Sequence, residues 1–546
     1  SLPAIWLLGQ LTLGVGFPFL VISASAPLFQ SWFSRTGLPS ADNPYYLYAA
    51  SNLGSILSLI AYPFLIEPSL GVVDQSTVWA FGYATVGLII VVAAALTWKL
   101  SERTGLRGPF SQTGSAPASF KQKLTWAYLA MIPSALLVAV SGQITADVAP
   151  VPFLWMLPLV VFLLTFVIAF ARRQLLPPVW LAAVGIPAGL LLAYALVVRQ
   201  LAVHRSIEFN IFVFFVLVLL FHITLASRRP AADQLTGYYL AMSLGGVVGG
   251  AFTALVAPLV FDAMWEYPIL LVVAAASSPL FLTKDSWSIA TRAVFTLSMG
   301  YVCFHMVTSA SGAPIWFHAA TVIVVALGVF SALQRPAVFG LFAAVLIFAN
   351  LAVSHAERDL LFMGRSYFSA HAVQRSPDQQ FTVLTNGSTV HGRQSTDKEG
   401  QRYPLEYYAR DTGIGKVFAE MDKRAMPQRI GIIGLGIGSL AAYIHFKRTA
   451  DFFEIDPLVD EIARNPKLFT YVPACRERCK TILGDGRIEI GKQENGAYDL
   501  VVLDAFNSDA VPVHLLTSQA IDLYFEKIKP GGLLAIHLTN GYVRLP

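Results

Sequence analysis

From Leu2 to about Val353 the chain passes through one apolar stretch after another with only short polar breaks, and that pattern leaves few folds open. Clear stretches run from Tyr45 to Ile66, Thr77 to Thr97, Leu124 to Val140, Phe153 to Ala171, Val179 to Val198, Ile211 to Ala226 and Leu240 to Val260. Later ones run from Tyr267 to Leu282, Ala293 to Ala310, Ile315 to Leu333 and Val338 to Val353. With the opening segment these make about twelve, most near the roughly 17–25 residues that a bilayer helix needs. A water-soluble fold has nowhere to bury so many. Charged residues make up only 13% of the chain, against about a quarter in soluble proteins. Residues 1–354 are therefore expected to form a multi-span α-helical membrane domain in contact with a lipid bilayer.

The net charge of +5 does not point to nucleic acid, because the basic residues sit in loops beside the spans. Lys99, Arg103, Arg107, Lys121 and Lys123 mark the loop after the third span as cytoplasmic. Counting on through about twelve spans would put the C-terminal part outside. A short, proline-bearing segment from Tyr267 to Leu282 that does not cross would bring it back to the cytoplasm. Polar residues within spans, such as Gln10, Gln30, Asn52, Gln143, His222, His305, His318 and Asn350, read best as interhelical hydrogen-bonding groups. Gly245-Gly246-Val247-Val248-Gly249-Gly250 reads as a close helix contact. Cys475 and Cys479 form a C-x-x-x-C pair without the further ligands zinc requires. They read as free thiols in a reducing compartment, and no metal site is expected.

After a polar connector at residues 355–380 the composition becomes that of an α/β domain, residues 381–546. Phe381 to Gly392 reads as a β-hairpin turning at Asn386-Gly387. Strands are expected at Arg429–Gly434, Asp451–Ile455, Thr481–Leu483, Leu500–Leu503 and Leu533–Leu538, with helical connectors. Such alternation predicts a Rossmann-like parallel sheet with ligands at the carboxyl ends of its strands. The chain stops soon after the last strand, so the domain is expected to be incomplete at its C-terminus.

The first of these strands runs into Gly434-Leu435-Gly436-Ile437-Gly438-Ser439, and Glu454 comes at the end of the second. A strand, a glycine turn and an acid about twenty residues on form a nucleotide cradle. Ser439 stands where the dinucleotide fingerprint has its third glycine, which tilts the reading from a nicotinamide cofactor towards an adenosyl ligand. Asp456, Gly484-Asp485-Gly486, Asp504 and Asp509 continue the series of acids at strand ends. A single strand-end aspartate is often only a helix cap. Several in order after such a turn make a site.

The order G-x-G-x-G, E-I-D, G-D-G and D-x-x-x-x-D resembles the spermidine synthases, the polyamine aminopropyltransferases. The hairpin and Tyr403-Pro404-Leu405-Glu406-Tyr407-Tyr408 resemble their amino-terminal hairpin and gating segment. The whole chain looks like a membrane-fused branch of that family. The resemblance implies a methyltransferase/spermidine synthase-type fold and an adenosyl sulfonium as substrate: decarboxylated S-adenosylmethionine or S-adenosylmethionine itself, with 5′-methylthioadenosine as product. No permanently bound cofactor is implied. Gly434, Gly436, Gly438 and Gly486 would let the backbone approach the nucleoside. Glu454 would bind the ribose diol and Asp485 the adenine amine, with Asp456 a further substrate-binding residue. Asp504 and Tyr407 would stand at the reacting centre, with Glu406, Tyr408, His391 and Asp509 around an amine. A homo-oligomer is left open.

The departures from that family matter too. Its glycine turn carries an aspartate for the aminopropyl ammonium where this chain has Ile437, and its hairpin glutamine is His391 here. An apolar Ile437 also removes a charge that would repel the carboxylate of intact S-adenosylmethionine. A lyase giving methylthioadenosine and homoserine lactone is therefore a second expectation. A transporter of polyamines or adenosyl compounds, with the α/β domain as sensor, is a third.

Overall fold

The computed structural model describes residues 3–104 (35, 37, 39, 40 and 42 apart), 117–147, 152–171, 176–198, 206–277 and 359–538 (388, 446 and 507–510 apart). Among these, seven helices are long and apolar enough to cross a bilayer: Trp6–Phe33, Tyr46–Ile66, Val72–Lys99, Phe120–Ala146, Pro178–Val197, Ile207–Ser227 and Ala232–Val260. Leu154–Ala169 and Glu266–Ala276 are shorter apolar helices. At about 1.5 Å per residue the second spans roughly half of a bilayer core. The stretches expected at 293–310, 315–333 and 338–353 lie outside the described residues.

The apolar runs form helices because a continuous apolar segment can satisfy its backbone only internally. Gly245 and Gly249 lie on one face of their helix, against Phe120–Ala146. A Cβ at Gly245 would stand 2.0 Å from the Ala127 carbonyl oxygen, and one at Gly249 2.2 Å from that of Met131. The glycine run is thus a packing device, as its spacing predicts. Trp6–Phe33 and Val72–Lys99 bury none of their apolar windows. Helices apolar on every face and uncovered by protein are suited to lipid.

The C-terminal part opens with an antiparallel sheet of four strands in the order β1-β2-β3-β4: Leu360–Arg365, Ala370–Arg375, Phe381–Asn386 and Thr389–Ser395. The residues read as a polar connector thus supply two strands, and the segment read as a lone hairpin is half of a larger sheet. The signal was hidden because β2 turns His371 and Val373 inward, so a polar residue occupies an inward position.

The second sheet has five parallel strands in the order β7-β6-β5-β8-β9. They are β5 Gln428–Ile433, β6 Arg448–Glu454, β7 Cys479–Leu483, β8 Tyr498–Leu503 and β9 Ile528–Ile536. The order reverses between β5 and β8, where the carboxyl ends of such sheets open a crevice. Gly434 begins the turn after β5 with φ of 102°. A Cβ there would stand 2.3 Å from the Asp504 carbonyl oxygen, so only glycine lets the two strand ends meet. The turn leads into a 3₁₀ segment, Ser439–Tyr443, rather than the α-helix the cradle predicts. Without a helix terminus to hold a pyrophosphate, the turn suits a nucleoside better than a dinucleotide.

Cys475 and Cys479 are not free thiols. The helix Tyr471–Cys475 ends, a 3₁₀ turn reverses the chain, and β7 starts at Cys479. The two Cα atoms come to 5.7 Å and the sulfurs are bonded, within normal disulfide reach.

The two parts of the chain touch through charge. Arg365, at the end of β1, donates from Nη1 and Nη2 to the two carboxylate oxygens of Glu266 at 2.7 and 2.9 Å, and from Nη1 to the Ala263 carbonyl. Glu266 is only 1% exposed and opens the helix Glu266–Ala276, where a negative charge also meets a favourable dipole.

Candidate active site

A cavity of about 500 Å³ lies between the two sheets, at the carboxyl ends of β5, β6, β7 and β8. Its walls include Gly434, Leu435 and Gly436 of the glycine turn, Glu454 and Asp456 after β6, Asp485 and Gly486 after β7, and Asp504 after β8. The antiparallel sheet and the segment after it add His371, Asn386, Thr389, His391, Tyr407 and Tyr408. Among the described residues the lining includes four carboxylates and no lysine or arginine.

Each acid is held in place. Glu454 accepts the Leu435 N–H on one oxygen and the Asp456 N–H on the other, both at 2.9 Å. Burial pushes its carboxyl above the usual range, and the two backbone donors oppose that rise. Asp456 accepts from the Leu458 N–H and from the Ser366 hydroxyl, and has His371 Nε2 at 3.3 Å. Burial alone would raise its carboxyl, but the bonds from His371, Ser366 and Leu458 outweigh it and hold the group below its ordinary value. Asp485 caps the helix Gly486–Gly491 through the Ile488 N–H and pairs its other oxygen with His514 Nε2 at 2.9 Å. It is both the helix cap such an aspartate usually is and part of the cavity wall.

Asp504 is braced by two side chains at short range. The Tyr408 hydroxyl donates to Oδ2 at 2.7 Å, and His537 Nδ1 lies 2.7 Å from Oδ1. Burial and the neighbouring Asp504 charge raise Tyr408 well above the ordinary phenol value, so it stays a donor. Tyr407 packs its ring 4.5 Å from that of His537, and burial pushes its phenol up to about 12. His391 reaches the cavity from β4 with Nε2 buried and unpartnered. Burial and nearby His371 push its imidazole down to about 4.

Other residues singled out in the sequence lie elsewhere. Ile437 is 1% exposed in the hydrophobic core, packed on Gly392, and does not line the cavity. Gly438 has φ of 78° and packs on Val472 behind the turn. Glu406 is held by Arg393 and is likewise absent from the lining. Asp509 lies outside the described residues. Sequence reasoning missed His371, His514 and His537. The last could have been found by the rule that found Asp504, because it follows the apolar run Leu533-Leu534-Ala535-Ile536 that ends β9 as Asp504 follows β8.

No family model matches the chain. The polyamine aminopropyltransferase of Vibrio vulnificus (strain CMCP6) is 34% identical over 165 residues, 29% of this chain and 52% of that one. The chain therefore spans about half the length of that curated relative. Among solved structures, a probable spermidine synthase from Corynebacterium glutamicum ATCC 13032 is 17% identical, over 32% of this chain and 62% of its own, with a TM-score of 0.28. Spermidine synthase from Thermotoga maritima is 18% identical, over 31% and 54%, with a TM-score of 0.24. Sequence identity to the aminopropyltransferase and the ordered motifs around this cavity agree: the α/β domain of this chain is spermidine synthase-like.

Proposed function

We propose that the α/β domain transfers an aminopropyl group from decarboxylated S-adenosylmethionine to an amine and releases 5′-methylthioadenosine. The observation that carries this reading is a cavity wall whose described residues include four carboxylates and no lysine or arginine. Such a wall favours cationic substrates, a sulfonium and an amine. It offers the carboxylate of intact S-adenosylmethionine no cation, which weighs against the lyase.

Glu454 and Asp485 flank the nucleoside, as acceptors for ribose hydroxyls and the adenine amine. The amine nitrogen attacks the carbon bonded to sulfur, a C–N bond forms, and the C–S pair returns to sulfur as a neutral thioether. The leaving group needs no acid. The nitrogen must lose a proton, and His537 is placed to take it: with Nδ1–H donated to Asp504, Nε2 carries the lone pair. Asp504 orients that imidazole and stabilises its charged form, and Tyr408 holds Asp504.

The test is methylthioadenosine release by full-length protein, measured by mass spectrometry with intact or decarboxylated donor, with and without putrescine. Release is expected only with the decarboxylated donor and the amine; release from intact donor alone would establish the lyase instead. Glu454→Ala and Asp485→Ala should each weaken methylthioadenosine binding about tenfold or more, the weight of a charge-assisted bond. Unchanged affinity in both would remove their assigned roles.

We also place the chain in a membrane with this domain on the cytoplasmic side, where adenosyl sulfonium compounds are made. The Cys475–Cys479 bond is unusual for a reducing compartment, which makes a direct measurement decisive. A cysteine at exposed Lys398 should resist a membrane-impermeant thiol reagent in intact cells, and ready labelling would reverse the orientation.

A further inference from the structure

The α/β side of the cavity is furnished with acids. The facing wall, from the antiparallel sheet, carries two ring nitrogens buried without a partner: Nδ1 of His371 and Nε2 of His391. Desolvated polar atoms left empty are costly, and in a cavity wall they point to a ligand that completes them.

Their chemistry says what kind. His371 is 5% exposed and has its other nitrogen, Nε2, 3.3 Å from Asp456 Oδ2. A proton shared with that carboxylate leaves Nδ1 as a lone pair. His391 is neutral at physiological pH, and its ring centre is 6.4 Å from that of His371. The pair sits beside the glycine turn: the His391 carbonyl oxygen is 3.3 Å from where a Cβ on Gly436 would stand, and Gly392 rests on Ile437. Asn386 and Thr389, which line the same wall, are uncharged, and Ile437 is apolar and buried. His371 Nδ1 is held as a lone pair by the bond to Asp456, and a neutral His391 offers one at Nε2 in the tautomer that keeps its proton on Nδ1, so the pair can serve a group rich in donors. A carboxylate supplies none, whereas a primary ammonium supplies three.

We propose that His371 Nδ1 and His391 Nε2 together accept hydrogen bonds from the primary ammonium at the end of the substrate's aminopropyl arm, with Asp456 supplying the countercharge behind His371. This rests on the adenosyl reading of the cavity. It makes the two histidines the determinants of the arm, distinct from the acids that hold the nucleoside. An ammonium bound this way is not fixed by a direct ion pair, so the arm can turn its far carbon towards Asp504 without breaking one.

The test compares two unreactive thioethers by calorimetry on the full-length protein: methylthioadenosine, and the analogue carrying 3-aminopropyl in place of methyl. The wild type should bind the aminopropyl compound about tenfold or more tightly than the methyl one, the weight of hydrogen bonds to a charged group. His391→Phe should erase most of that advantage and leave methylthioadenosine affinity unchanged, which also reports an intact fold, and His371→Phe should cost the aminopropyl compound several-fold more affinity than it costs methylthioadenosine through Asp456. His391→Gln, whose side-chain carbonyl can still accept, should keep most of it. Equal losses for both ligands would mean that the histidines hold the nucleoside and would overturn the proposal. No advantage for the aminopropyl compound in the wild type would overturn it while leaving the adenosyl reading standing. Failure of the wild type to bind either ligand would remove that reading and the proposal with it.

Discussion

Asp504→Asn is expected to cut methylthioadenosine release by about 10²–10⁴-fold, the usual weight of an acid–base group and its orienting partner, with little change in methylthioadenosine affinity. The two side chains have the same shape, so the contact between Gly434 and the Asp504 backbone survives. What is lost is one of two acceptors. Asp504 receives both the Tyr408 hydroxyl and the His537 Nδ1 proton. An asparagine can receive only one on its carbonyl and turns an NH₂ towards the other. If it faces His537, the imidazole must reverse its tautomer, and the nitrogen meant to take the proton already carries one. Single-turnover release and calorimetry on the same preparation separate chemistry from binding. A variant as fast as wild type would show that Asp504 takes no part in the chemistry.

Ile437→Asp is expected to unfold the neighbourhood of the glycine turn rather than to restore an ammonium site. Read from the sequence alone, an aspartate here would return the charge that aminopropyltransferases carry. In the structure, however, the side chain points into the core, 1% exposed, with Gly392 against it. A carboxylate placed there has no cation and no water. An uncompensated buried charge costs about 3–5 kcal/mol, which for a domain of this size lowers the melting temperature by roughly 10 °C. Thermal unfolding of wild type and variant, each with and without methylthioadenosine, reads this directly. A variant that melts with wild type and gains affinity for the aminopropyl thioether would place residue 437 in the cavity and contradict its packing against Gly392.

Those two positions show what could be read in advance and what could not. Asp504 was legible because strand, turn and acid are neighbours in the chain: the apolar run Leu500–Leu503 predicts β8, and the residue after a parallel strand faces the cavity. Its partners were not, because Tyr408 and His537 lie 96 and 33 residues away, and nothing in spacing reports a contact made only by folding. Ile437 was placed at the site by its neighbours in the turn, yet between two positive-φ glycines its side chain turns into the core against Gly392. β2 escaped notice because His371 occupies an inward position where an apolar residue would have completed the alternation, and β1 because its half-buried residues show no alternation at all. The disulfide escaped because a C-x-x-x-C spacing becomes a bond only when a helix end and a strand start fold back between the two residues.

The bond between Arg365 and Glu266 makes the helical half a partner in the dimensions of the cavity. Next to Arg365, Ser366 donates to Asp456, whose own N–H is bound by Glu454. A continuous string of polar contacts therefore runs from the start of the helix Glu266–Ala276 to Glu454 in the cavity wall. An α/β domain expressed alone would keep Arg365 and lose its counter-charge, leaving an 11%-exposed guanidinium side chain without the group that sets its position. The anchor of the wall would be gone while every residue of the cavity remained. In this chain the apolar helical half acts as the jig against which the cavity is assembled, and the tolerances of the site are inherited from it.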